Sequence, residues 1–226
     1  MRHIFFIALM FTAAATAFGQ AQSLSQGPYR IQITLERRAK DVWQAVDSRL
    51  VLDQNDLVRF RVRTNFSGYL YVTNLSTSDQ YDLLFPSSQA GADNKIQAGM
   101  EYVIPATDQG SFRITGPAGQ ELVYWLVSPG EIDRRTGPLP QPPPRKPPAL
   151  IPRCDDTILR ARGDCIDTSA GPKQVQDLNG LPADFAKIRN ANSRELVFMQ
   201  QEKSFVVASP SPLKGPAIYE FRLSHK

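Results

Sequence analysis

Three features of the sequence predict a mainly β chain built as an antiparallel β-sandwich. Apolar and polar residues alternate from Tyr29 to Val127, turns rich in Ser, Asp, Asn and Gly separate the runs, and prolines stand where runs stop. Alternation of this period puts one strand face in a core and the other in water. The first run sets Tyr29, Ile31, Ile33 and Leu35 against Arg30, Gln32, Thr34 and Glu36. Asp41 to Val46 fits a helical turn and a short strand equally well. Past the turn at Asp53–Asp56, Val58, Phe60 and Val62 alternate with Arg59, Arg61 and Arg63. Gly68 to Leu75 begins apolar on both faces, as a central strand can. Tyr81 to Phe85 stops at Pro86, Met100 to Ile104 at Pro105, and Glu121 to Val127 at Ser128-Pro129-Gly130. Proline suits these places because it has no N–H to give to a sheet ladder. Short strands at such spacing read as an immunoglobulin-like (Ig-like) sandwich.

The composition changes after Ser128. Nine of the 18 prolines lie between Pro129 and Pro152, and the densest stretch, Pro138 to Pro148, includes Pro142, Pro143 and Pro144. A whole chain of this length would carry about eleven at ordinary usage. Such a stretch reads as polyproline II, about 34 Å long at its usual rise. It serves as a spacer or as a docking segment for an aromatic groove. Leu181 to Arg189 has Pro182 at a first helical position and Leu181, Phe185 and Ile188 at helical spacing, which predicts one short helix. Strand patterning then returns in Glu195–Gln200, Ser204–Ala208 and Ala217–Leu223. Three short strands make a marginal core of their own. The economical arrangement has residues 194–226 complete the sandwich of residues 28–128, with residues 129–193 a proline-rich, disulfide-looped insertion bearing the short helix.

Residues 1–21 have the form of a secretory signal peptide. A basic start at Arg2 and His3 leads into the uncharged run Ile4–Phe18 and a small-residue cleavage site at Ala17-Phe18-Gly19. The run is shorter than the ~20 residues that cross a bilayer, and no later stretch is long enough. The expectation is a protein without a transmembrane span, exported to the periplasm or beyond. Without the leader, 25 Lys and Arg face 22 Asp and Glu. That balance, together with export, argues against nucleic acid as a partner. In an oxidising compartment Cys154 and Cys165 are most simply a disulfide, and they lack the Cys-x-x-Cys spacing of redox-active pairs.

Chemistry has little to work with. Two histidines are present, and His3 lies in the leader. His225 is the penultimate residue, where mobility is expected, and no Gly-x-Ser-x-Gly elbow accompanies it. Glu101, Glu121, Asp155 and Asp156 are available as paired carboxylates for a hydrolase, but no spacing singles out a pair. Asp155, Asp156, Asp164 and Asp167 gather around the cysteines with Arg153, Arg160 and Arg162 among them, which reads as a salt-bridged loop and not as a metal site. No cofactor or metal ligand set is predicted. Arg59, Arg61 and Arg63 form a basic stripe, read as a solvated face or as a patch for an anionic glycan or acidic protein. Gly68 and Gly99 are expected at turns or at positive φ.

The middle of the chain resembles an uncharacterised bacterial family, the domain of unknown function 4384. The residues that carry the likeness are Asp56–Val62, Asn65–Val72, Tyr81–Pro86, Asn94–Gly99, Phe112–Gly119 and Val123–Ser128, with Phe221–His225 similar to the last strand of exported relatives. The resemblance implies a β-sandwich module, accessory in character, with no catalytic residues to carry over. The functional expectation is an exported, non-catalytic interaction module of the bacterial cell envelope, whose partner is an envelope protein or glycan. Its contact surfaces would be the face of Arg59, Arg61 and Arg63 and the Pro142–Pro144 segment. The alternatives are an envelope hydrolase using carboxylates and a small-ligand carrier.

Overall fold

The computed structural model describes residues 29–86, 93–106, 110–132, 152–155, 157–161, 163–175, 196–209 and 215–226. Strand β1 is Arg30–Ala39, β2 Val42–Ala45, β3 Leu57–Thr64 and β4 Gly68–Leu75. They are followed by β5 Tyr81–Phe85, β6 Lys95–Ile96, β7 Glu101–Ile104, β8 Phe112–Arg113 and β9 Gly119–Ser128. One helix, α1 Thr157–Ala161, precedes β10 Gly171–Lys173, β11 Val197–Gln201, β12 Ser204–Ala208 and β13 Ala217–His225. Asp41–Val46 resolves into strand β2, paired with the end of β1. The helix expected at Leu181–Arg189 and the Pro138–Pro148 segment lie outside the described residues.

Two antiparallel sheets pack face to face. One runs β11-β12-β1-β3-β7, with β2 beside β1 and β8 beside β3; the other runs β10-β13-β9-β4-β5, with β6 beside β4. The strands after residue 195 are divided between the sheets. β12 pairs with β1, from Arg30 opposite Ala208 to Thr34 opposite Ser204. β13 pairs with β9 along its whole length, from Ala217 opposite Val127 to His225 opposite Gly119.

The core between the sheets follows from alternation. Ile31, Ile33 and Leu35 of β1 and Val58, Phe60 and Val62 of β3 meet Val123, Trp125 and Val127 of β9 and Tyr219, Phe221 and Leu223 of β13. Phe60 sits at their centre, its ring edge-on to Trp125 at 5.3 Å and to Phe221 at 5.0 Å. Such contacts add to the area term that drives burial.

The second sheet is apolar on its outer face as well. Tyr71, Leu75, Tyr124, Leu126 and Ile218 form a separate buried cluster with Val175, and Ile132 packs on it. The Tyr71 hydroxyl accepts the Ile132 backbone N–H at 3.0 Å. This second layer is the reason Gly68–Leu75 reads apolar on both faces. Gly68 itself is not at positive φ. A Cβ there would stand 2.6 Å from the Ser128 carbonyl oxygen, so the close pairing of β4 with β9 requires glycine. Gly99 does take φ +79°. Among the described residues no helix is long and apolar enough to cross a membrane.

Candidate functional site

Among the described residues, a dense polar assembly lies at one end of the sandwich, where β13 ends. Alternation along β9 and β13 sorts its members onto two faces. Glu121 and His225 share the inner face with Val123 and Leu223, while Gln120 and Ser224 point to the outer face.

On the inner side, His225 is fully buried and Glu121 is 6% exposed. His225 Nε2 stands 3.3 Å from Glu121 Oε1, an ion-pair distance. The alignment is not that of a hydrogen bond, and neither ring nitrogen has a hydrogen-bond partner among the described residues. The glutamate is the better anchored of the two. Oε2 accepts from Asn74 Nδ2 at 2.8 Å, and Oε1 accepts from the Thr77 backbone N–H at 3.2 Å and the Thr77 hydroxyl at 3.3 Å. The expectation of a mobile penultimate histidine is therefore wrong for this chain. Leu52 forms a parallel bridge to His225, its N–H donates to the Ser224 carbonyl at 2.9 Å, and its own carbonyl accepts from the Lys226 N–H at 3.0 Å. These bonds between distant segments hold the last residues as part of the sheet.

On the outer side, Asp167 is 1% exposed and organises four donors. Oδ1 accepts from the Ser169 N–H and hydroxyl at 2.9 and 2.6 Å; Oδ2 accepts from the Ser224 hydroxyl at 3.0 Å and Gln120 Nε2 at 3.2 Å. Burial works to raise the Asp167 carboxyl, but the hydrogen bonds from Ser169, Ser224 and Gln120 outweigh it and hold it below the ordinary carboxylate range.

Asp167, Ser224 and His225 have the residue types of a hydrolase triad but not its geometry. A triad needs the histidine to face the serine, with the acid behind the histidine. Here Ser224 and His225 are neighbours on one strand and face opposite ways. The Ser224 hydroxyl donates a hydrogen bond to Asp167, and the acid beside His225 is Glu121. The carboxylates considered for hydrolysis are likewise dispersed. Glu101 is exposed on the first sheet, 3.6 Å from Arg61, and Asp155 accepts from Thr168 beside the disulfide loop. Asp156 lies outside the described residues. Among the described residues no three His, Cys, Asp or Glu side chains are grouped to hold a metal ion.

The disulfide connects Cys154 and Cys165, with 4.8 Å between their Cα atoms. Its loop carries the five-residue helix α1, which sequence spacing gave no sign of. The loop is tied to the sandwich through the Val51 N–H, which donates to the Cys165 carbonyl at 2.7 Å, and the Asp167 N–H, which donates to the Arg49 carbonyl at 2.9 Å.

The arginine stripe lies on the outer face of the first sheet, and its charges are largely matched. Glu36, 3% exposed, takes Arg59 Nε on one oxygen at 2.6 Å and Arg61 on the other. Arg59 also lies 4.3 Å over the Trp43 ring, and Arg63 donates to the Gly99 carbonyl at 3.0 Å. Sequence reasoning placed Glu36 on the polar face and missed its burial. The signal, an acid opposite two arginines, exists only once the β1–β3 register is known. Pro142, Pro143 and Pro144 lie outside the described residues.

At the other end of the core, the Tyr29 and Tyr219 hydroxyls and the Trp125 indole N–H are buried without a hydrogen-bond partner among the described residues. Burial pushes both phenols well above their ordinary range, and at Tyr219 the neighbouring Tyr29 adds to the effect.

No curated protein and no solved structure matches the chain. Residues 51–131, from the Leu52 edge of the His225 anchor through β3–β9, match the model of one family, described as Domain of unknown function (DUF4384).

Proposed function

We propose that this protein is an exported, non-catalytic interaction module of the bacterial cell envelope. In this reading it is an Ig-like sandwich with residues 129–193 inserted, and residues 1–21 are a signal peptide that sends it to the periplasm or the cell surface. Its partner is an envelope protein or glycan and not nucleic acid. What supports the reading most is the assignment of its polar side chains. The four of catalytic type that gather at the end of β13, Glu121, His225, Asp167 and Ser224, are buried in the fold, and the exposed carboxylates Glu101 and Asp155 stand apart from them and from each other. Contacts then fall to surfaces: the Pro142–Pro144 segment and the rim of the arginine face, where Arg61 keeps 39% of its side chain in solvent.

The test is capture from envelope extracts by purified protein, with and without residues 138–148. The reading expects a reproducible set of partners, reduced by the deletion if the proline segment docks. Recovery of nothing by either form overturns it. Cell fractionation checks the address: protein lacking residues 1–21 should stay in the cytoplasm, and export without them refutes the signal.

A further inference from the structure

We infer that β11 is a self-pairing edge through which two copies of this chain join their first sheets. Among the described residues β11 forms a ladder on one side only, with β12. Four of its five residues are exposed, including Val197 at 50% and Met199 at 37%. The exposed residues Val197, Met199 and Gln201 alternate along the strand. Phe198, between them, packs towards the core and meets the Tyr219 ring at 6.2 Å. The edge is therefore held extended and in place before any partner arrives.

Natural sheets protect open edges with charge, proline or brevity. The other outer strands here do so. β10 is three residues with Pro172 and Lys173, β5 carries Asp82, β7 carries Glu101, and β2 is only four residues long. β11 reads Val-Phe-Met-Gln-Gln, without charge or proline.

The strand is complementary to itself. Gln201 and Ser204 close the hairpin turn at Glu202–Lys203. Ladder alternation from that pair directs the backbone groups of Phe198 and Gln200 away from β12. An antiparallel two-fold centred on Met199 places Phe198 of each copy opposite Gln200 of the other, so these outward groups pair in both copies. Met199 then meets its own counterpart, and Val197 meets Gln201. No ionisable side chain of the strand is set against its like. Because the two edges are the same strand, the pairing closes as a dimer and does not propagate. Five residues per copy fall short of the ~800 Å² each partner gives to a standard interface, so the dimer is weak and concentration-dependent.

Sedimentation velocity on the purified protein over a range of concentrations tests this. The expected result is a reversible monomer–dimer equilibrium that Met199→Lys, which opposes two ammonium groups on the axis, shifts to monomer at least tenfold. Thermal unfolding of that variant shows that the exposed substitution leaves the fold intact. The register has its own readout. The native cysteines are bonded to each other, so Met199→Cys adds a thiol that should oxidise to a cross-linked dimer at least tenfold faster than Val42→Cys, exposed elsewhere. A monomer at every concentration overturns the inference. So does a dimer indifferent to Met199→Lys, or cross-linking no faster at 199 than at 42.

Discussion

The Tyr219 hydroxyl and the Asp167 carboxylate are both buried, and they stand at opposite extremes of satisfaction. Tyr219 lies in the core with no partner for its O–H among the described residues. An unpaired buried hydroxyl costs about 1–3 kcal/mol, whereas the ring alone would keep its stacking on Trp125. Tyr219→Phe is therefore expected to leave stability unchanged or raise it by up to about 1 kcal/mol in urea unfolding. A loss of more than that would mean the hydroxyl has a partner, and would favour a ligand in the core. Asp167 behaves oppositely. Its folded-state pKa lies below its unfolded value, so its contribution is complete above the unfolded value, about 4, and is lost as pH falls through the folded one. Asp167→Asn should lower stability at pH 7 and flatten its decline below pH ~4. Asp47 and Asp155 are shifted the same way and would keep some slope. Equal acid slopes for variant and unchanged protein would show that Asp167 is not the group responsible.

At the scale of elements, the alternating strands were the legible part of the sequence. β1 and β3 carry a clean core face, and period two read it directly. β12 buries all five of its residues, so its pattern holds no face to read. His225 was misread because mobility at a terminus is a local expectation, while the Leu52 bridge that removes it joins distant parts of the chain. The arginines of β3 were visible, but Glu36 and Trp43, which hold two of the three, come from β1 and β2. Helix α1 is one turn inside a covalent loop, too short for periodicity to register. That loop supports its own prediction. Replacing both Cys154 and Cys165 by Ser should cost about 3 kcal/mol by the loop-entropy argument for roughly 12 residues. Comparative denaturation of the two forms measures it. A difference below about 0.5 kcal/mol would mean that the hydrogen bonds from Val51 and Asp167 hold the loop without the bond.

For the whole molecule, the order of the strands matters more than any one side chain. The family match covers residues 51–131, yet its strands β3 and β9 are flanked in the sheets by β1 and β13, which lie outside it. The matched segment is thus the middle of two sheets whose neighbours come from both ends of the described chain. The buried acids and the histidine sit where those parts meet, which is why we read them as fasteners of the fold and assign function to the surface. Partner capture from envelope extracts by the Glu121→Gln/His225→Gln variant, at a temperature where its circular dichroism matches that of the unchanged protein, tests this division most directly. The account predicts the same partners in the same amounts; a folded variant that has lost them would make this polar end the functional site.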